Sequence, residues 1–389
     1  MENITSNSLF SALKGNVIAI RRNRRLQPAE GVGGKIFPAS YSGGVYAEEE
    51  RMIDGRQQHC VIIDSVQSQA NRIEEALKLN YYKPGESKCE IPVVDVDFTA
   101  TETPEVGHVT SLDAPHRIAD AILRDSELDG KPFRETEVGK ACEASSQDAT
   151  ALFRYCPTAL IFGIWDSTGP RGGLGTKFQR SLVSEIIAVN AVKGVKSANR
   201  IDPLNIAKDA GPIYKTTGGD WSLEPIKGKG EGKKVTPSKV VHGNIVEAVD
   251  VELGGITCDY AMQKTVISLP ALRRLHFEEG DENRIRAVLL ALALCGVTLS
   301  EADMDLRSRC LLVPEGVAVW EFLNADGSTI EFTLDANDAR QLLTDAINAC
   351  PIKWNTDVVT LKPSDKLAQL LKKSRDIQAK QNGESSSEE

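Results

Sequence analysis

Residues 159–183, ALIFGIWDSTGPRGGLGTKFQRSLV, carry the residue types best suited to holding a phosphate chain. Gly169, Gly172, Gly173 and Gly175 leave the backbone free to take conformations closed to other residues. Arg171, Lys177 and Arg180 surround those glycines with positive charge. Such a loop lets bare N–H groups and basic side chains come close to phosphate oxygens. The stricter phosphate signatures are absent. A Walker A loop needs a lysine directly after its last glycine, and Lys177 follows Thr176. A dinucleotide fingerprint needs a third glycine where Phe178 stands. The chemistry on offer is electrostatic binding of a polyanion, not nucleotide hydrolysis. A solvated surface loop has the same composition, and the loop alone does not separate the two.

A second basic feature lies near the N-terminus. Arg21, Arg22, Arg24 and Arg25 fall within five positions, and Lys35 follows. Guanidinium forks bind phosphate bidentately. Between residues 14 and 35 the only acid is Glu30, so the cluster lacks carboxylates nearby in sequence and reads as a phosphate-binding patch, with a solubilising loop as the alternative. Phe37, Tyr41 and Tyr46 come next; they could stack on bases or pack in a core. His116 and Arg117 open a predicted helix in DAPHRIAD, where a hydrogen-bonded structural histidine or an RNA contact fits better than a general base. Lys193, Lys196 and Arg200 begin a lysine-rich stretch that runs to residue 239.

No catalytic constellation stands out. The five histidines (59, 108, 116, 242, 276) include no pair at the i, i+4 spacing of a helical metal site. Asp95 and Asp97 fall on one face of a strand; two carboxylates can hold a cation, and a solvated strand face looks the same. The G-x-S-x-G elbow of hydrolases is missing. Eight scattered cysteines form no C-x-x-C pair, and Cys60 and Cys295 sit in apolar runs, as core residues of a reducing cytoplasm would. The expectation is a non-enzyme without catalytic residues, metal or cofactor.

These residues need a scaffold. A chain of 389 residues with 41% hydrophobic and 26% charged content suits a soluble globular protein. No run of about 18 apolar residues suggests a membrane span. Nor is a signal peptide evident in the opening residues. The net charge of −9 argues against a protein that coats nucleic acid with its whole surface, but leaves room for a basic groove. Strands are predicted at Val17–Ile20, Cys60–Ile63, Ile91–Phe98, Ala159–Gly163 and Ser184–Val195, and again over Ile256–Leu269. Helices are predicted after an Asp64 or Ser65 cap, over Asp113–Leu123, Asp148–Tyr155 and Arg284–Cys295, and from an Asp335 cap to Ala349. Short strands are expected at Leu311–Val313, Val317–Phe322 and Ile330–Leu334, the last two joined by an Asp326-Gly327 turn. Residues 205–240 hold many Gly, Pro and Lys and read as a flexible, coreless insertion, with Trp221 as its anchor. The pattern favours an α+β fold: one domain over 1–363, then a polar helix and a disordered tail over 364–389.

Several ordered strings resemble a known family. They include RLQPAEGVGGKIFPASY, VIIDSVQSQANRIEEAL, TSLDAPHRIADAILRDSELDGKPFR, CPTALIFGIWDSTGPRGGLGTKFQRSLVSEI, SANRIDPLNI, HGNI, LPALRRLHF and LRSRCLLVP. They resemble the Csb-type RAMP proteins, the Cas-seven backbone subunits of type I-G (formerly I-U) CRISPR Cascade. The resemblance runs from about Arg25 to Val313. It implies a modified RRM-like (ferredoxin-like) palm with inserted finger and thumb elements. It also implies a role: copies of the chain, with other Cascade subunits, would line up along a guide crRNA. They would grip its backbone and leave its bases to pair with target DNA, in the cytoplasm and without a membrane. The RNA-binding residues would be Arg21, Arg22, Arg24, Arg25, Lys35, His116, Arg117, Arg171, Lys177, Arg180, Lys193, Lys196 and Arg200. The rival reading is a metal-dependent ribonuclease of the type III backbone kind, using Asp95, Asp97 or Asp166.

Overall fold

A long arginine-bearing strand, Val17–Pro28, runs through the main sheet and organises it. The computed structural model describes residues 4–169, 175–207, 209–215, 220–225, 232–243, 245–250, 253–278, 280–302 and 304–385; the side chains of 198–200, 245–248, 250 and 379–385 lie outside that description. The chain divides into two units. The first comprises residues up to 192 and 256–367.

Its main sheet has eight strands. The order is Thr329–Phe332, Trp320–Asn324, Val17–Pro28, Tyr260–Ser268, Leu182–Val189, Arg56–Asp64 and Glu48–Ile53, with Leu312–Pro314 pairing beside Leu26–Pro28. Every pairing is antiparallel. Alternation decides which face is sealed. Along Tyr260–Ser268, Ala261, Gln263, Thr265 and Ile267 are buried, while Lys264 and Val266 between them are not. The sealed face meets the helix Val66–Tyr81, whose Gln69 Oε1 accepts from Ser184 Oγ at 3.1 Å and from Gln263 Nε2 at 3.0 Å. Ser65 caps that helix at the amide of Ser68, as expected. Buried Asp64 accepts from Ser68, Gln69, Arg72 and Arg307, so its charge is satisfied.

Behind this helix lies Glu282–Ser300, buried all round from Ile285 to Leu299. It is long and apolar enough to cross a membrane by composition, but 83% of that stretch is buried within the fold. At Gly296 an added Cβ would stand 2.7 Å from Ile73 Cγ2, so the glycine lets the two helices approach. Ser6–Lys14 and Ala336–Asn348 also pack on it, the latter capped by Asp335. The Asp326-Gly327 turn joins its two strands as expected, with Gly327 at φ +86°. A five-stranded sheet includes Val94–Asp97 and Val359–Pro363, paired in parallel. The result is an α+β fold.

Two elements differ from expectation. Thr158–Phe162 is a helix, not a strand, wholly buried and closed by Gly163 at φ +82°. A short apolar run carries no period that distinguishes the two. Asp113–Leu123 is not one helix but turns, a 3-10 turn at Arg117–Ala119 and a short helix, Ala121–Arg124. Arg117 itself takes φ +54°, which a continuous helix forbids.

The second unit holds 193–255 and the chain from 368 onward. Lys196–Arg200 pairs with Ile245–Asp250. The described part of 205–240 is more ordered than its composition suggested: Ile213–Lys215 pairs with both Trp221–Ser222 and Lys233–Val235. Ile213 is buried there, and the Trp221 ring meets His242 edge-on at 5.8 Å. Asp202 accepts from the amides of Leu204, Ile206 and Gly243, tying two loops together. The polar helix Asp365–Ser385 matches the one expected from Ser364, and the final residues 386–389 lie outside the described residues.

Candidate nucleic-acid interface

The arginine cluster is a strand, not a loop, and its charges are paired with carboxylates of the same chain, Arg22 and Arg24 within the fold and Arg21 and Arg25 nearer its surface. Arg22 is 4% exposed, pairs with Glu301 and lies 4.2 Å over the Trp320 ring. Arg24 approaches the same carboxylate at 3.5 Å. Arg21 Nε donates to Glu321 at 2.9 Å, and Arg25 Nε to Glu315 at 3.0 Å, with Arg25 also stacked on Tyr260 at 3.9 Å. All three carboxylates come from the far end of the sequence. Their distance along the chain is what made the cluster look unpaired. Tyr46 is buried, Phe37 is half-buried with the Arg309 guanidinium over its ring at 4.2 Å, and Tyr41 is exposed. Lys35 is half-buried next to Ile36, whose backbone bridges Ile256.

The other basic residues converge. A cleft of about 420 Å³ is lined by Gln67, Asn71, His116, Arg117, Phe162, Trp165, Lys177, Phe178 and Arg180, among others. No carboxylate is among its described lining residues. Two short strands, Ile164–Trp165 and Lys177–Phe178, pair antiparallel at its rim and bring both ends of the glycine loop together. Asp166 anchors the base of that loop: its amide donates to the Thr176 carbonyl at 2.9 Å. Its carboxylate takes a bidentate pair from Arg134, at 2.6 and 2.9 Å. Arg171 lies outside the described residues.

Within this cleft the charges are unequal. Lys177 and Arg180 are exposed, and neither meets a carboxylate among the described residues. Lys177 Nζ stands 5.6 Å over the Trp165 ring, and Arg180 Nε donates to the Phe162 carbonyl at 3.2 Å. Trp165 is 55% exposed, a large aromatic surface facing solvent. His116 is exposed, with its amide held by Asp120 Oδ2 at 3.1 Å. Arg117 differs from its expected role. It is buried, and its fork closes on Glu74 with two 2.7 Å bonds, while Nη1 donates to the Gly163 carbonyl at 3.0 Å. Burial pushes the Glu74 carboxyl up to about 7 against the pull of Arg117. Glu74 sits on the buried face of an amphipathic helix, one turn after Ala70, and its sequence context gave no sign of a partner 43 residues away.

Lys193 and Lys196 are exposed and belong to the second unit; Arg200 lies on its strand Lys196–Arg200 with its side chain outside the described set. Exposed cations beside an exposed indole can bind a single strand through phosphates and a stacked base.

The carboxylates proposed for a metal are otherwise engaged. His108 Nδ1 lies 2.6 Å from Asp95 Oδ2, and its Nε2 is 3.9 Å from Asp97 Oδ1. Burial raises the Asp95 pKa and His108 opposes that rise; the Thr99 hydroxyl lowers that of Asp97. Among the described residues, no group of three or more His, Cys, Asp and Glu side chains converges on a cation position.

Comparison with known proteins adds two findings. Among solved structures the chain is similar to Csc2 from Thermofilum pendens, at 12% identity over 93% of this chain and 76% of that chain. The TM-score is 0.27, too low for any argument to rest on that likeness. No curated protein matches the chain. Residues 20–193 match the family described as CRISPR-associated protein GSU0053 (Cas_GSU0053). That range holds every residue of the cleft and ends where the first unit gives way to the second. Over residues 20–193 the chain is thus similar to a family of CRISPR-associated proteins.

Proposed function

We propose that this chain is a guide-RNA-binding backbone subunit of a type I-G CRISPR Cascade, and that it is not an enzyme. One observation carries the reading. Within the range similar to CRISPR-associated proteins, a cleft with no carboxylate among its described lining residues presents Lys177, Arg180 and the exposed Trp165 together. Contacts of this kind grip the sugar–phosphate chain irrespective of sequence, as a guide with a variable spacer requires. The antiparallel sheet with helices on one face would serve as the RRM-like palm, and the second unit as the inserted finger or thumb. Copies of the chain and other Cascade subunits would share one crRNA in the cytoplasm, and target DNA would pair with its bases.

The ribonuclease alternative would need an ionised carboxylate free to hold a cation. Neutralisation of Asp166 by the Arg134 fork weighs against it. The test is purification of the chain with its partner subunits and guide. A bound RNA of defined length is expected, and complementary RNA should stay intact in Mg²⁺. Regularly spaced cuts that vanish in Asp166→Ala would overturn the non-catalytic reading; absence of any bound RNA would overturn the whole proposal.

A further inference from the structure

We infer that Glu74 is a positioning residue for the cleft: through Arg117 it fixes the Gly163 carbonyl and so sets the geometry of the rim that carries Trp165, Lys177 and Arg180. The inference rests on the reading of the cleft as an RNA-binding site. Glu74 touches no part of the cleft surface itself; it is 2% exposed. It projects from the middle of the helix Val66–Tyr81, a rigid element packed on the main sheet. Its two oxygens consume Nε and Nη2 of Arg117, which leaves Nη1 aimed at Gly163 O, 3.0 Å away. The Arg117 guanidinium also lies 5.2 Å over the Phe162 ring, a further contact beside its two hydrogen-bonded partners. The residue that receives this bond is itself constrained. Gly163 sits at φ +82°, and a Cβ there would stand 2.9 Å from the Phe178 carbonyl and 3.1 Å from Arg180 Cγ. Gly163 therefore adjoins one rim strand in sequence and leaves no room for a side chain between itself, Phe178 and Arg180, so the position of its carbonyl bears on both sides of the rim.

The fork has a second effect. An unpaired carbonyl at this wall would present a partial negative charge to an incoming phosphate. Arg117 removes that repulsion by taking the carbonyl, while Glu74 cancels its charge. Arg117 thus lines the cleft without acting as a phosphate ligand.

The sign of one substitution separates positioning from simple electrostatics. Glu74→Gln removes a negative charge beneath an anion site. On charge alone, RNA binding would tighten. If Glu74 positions the rim, binding weakens about tenfold, or about 1.4 kcal/mol, because the amide cannot hold both arms of the fork. The measurement is affinity of the purified protein for a short single-stranded RNA at pH 8. Amide hydrogen exchange across 164–169 and 175–180 is read in the same RNA-free protein, where it should accelerate while Tyr260–Ser268 stays protected. Affinity equal to or tighter than that of the parent, or unchanged exchange at the rim, overturns the inference. Should Glu74→Gln not fold, Glu74→Asp keeps the charge and shortens the reach, and the same acceleration is expected. Lys177→Ala with Arg180→Ala is the parallel arm. If that pair leaves RNA binding intact, the reading of the cleft fails, whereas the exchange result still decides the role of Glu74.

Discussion

Arg22→Ala should lower the stability of the fold and leave RNA binding alone. Its guanidinium is 4% exposed, paired with Glu301 and stacked 4.2 Å over Trp320. Breaking a buried ion pair by removing one partner costs ~3–5 kcal/mol, because the other charge is stranded. Glu301 would keep Arg24 at 3.5 Å, which places the cost near the lower end, about 3 kcal/mol. At about 2.1 cal/mol/K of unfolding entropy per residue, that shifts the melting midpoint of this unit of roughly 300 residues down by about 5 °C. Arg25→Ala is the control from the same cluster. Its side chain is half exposed, so loss of the Glu315 pair should cost under ~1 kcal/mol. Thermal unfolding followed by circular dichroism gives the midpoints. RNA affinity is then measured well below them, over a range of salt concentrations. An unmoved midpoint in Arg22→Ala, with lost affinity and a flattened salt dependence, would refute the assignment of this strand to structure.

Gly163→Ala should destabilise by about 1–3 kcal/mol, since a left-handed backbone and a 2.9 Å clash with Phe178 O combine. Gly55→Ala, at φ +74° with no atom within 4 Å, should lose only the conformational part, about 1 kcal/mol, in the same denaturant titration. The Glu74 carboxyl, raised by burial to about 7 against an unfolded value of about 4.3, means that the folded state holds the extra proton between those values. Its contribution to stability therefore falls as pH rises through that window, and Glu74→Gln should flatten the slope of unfolding free energy between pH 5 and 8.

Local signals were legible in the sequence wherever a few neighbouring residues fix the structure. The Ser65 and Asp335 caps, the Asp326-Gly327 turn and the apolar helix around Arg284–Cys295 each rest on contacts within a turn or two. That Lys177 would come close to Trp165 was also legible, because the two short strands that pair them are near in sequence. What the sequence hid were the charge partners. Arg22 meets a carboxylate 279 residues away, and Arg117 meets one 43 residues away. A basic cluster and a set of paired arginines look identical until topology brings the acids alongside. Thr158–Phe162 escaped for a different reason: a threonine and four apolar residues, all buried, carry no period to read.

The central claim is that Lys177 and Arg180 bind guide phosphates, and the salt dependence of RNA affinity tests it most directly. For a single strand, each neutralised phosphate contributes about 0.7 to the slope of log affinity against log salt. The parent protein should show a steep slope, and Lys177→Ala with Arg180→Ala should reduce it by about 1.4 for every RNA sequence tried. An unchanged slope and affinity in that double variant would contradict the account.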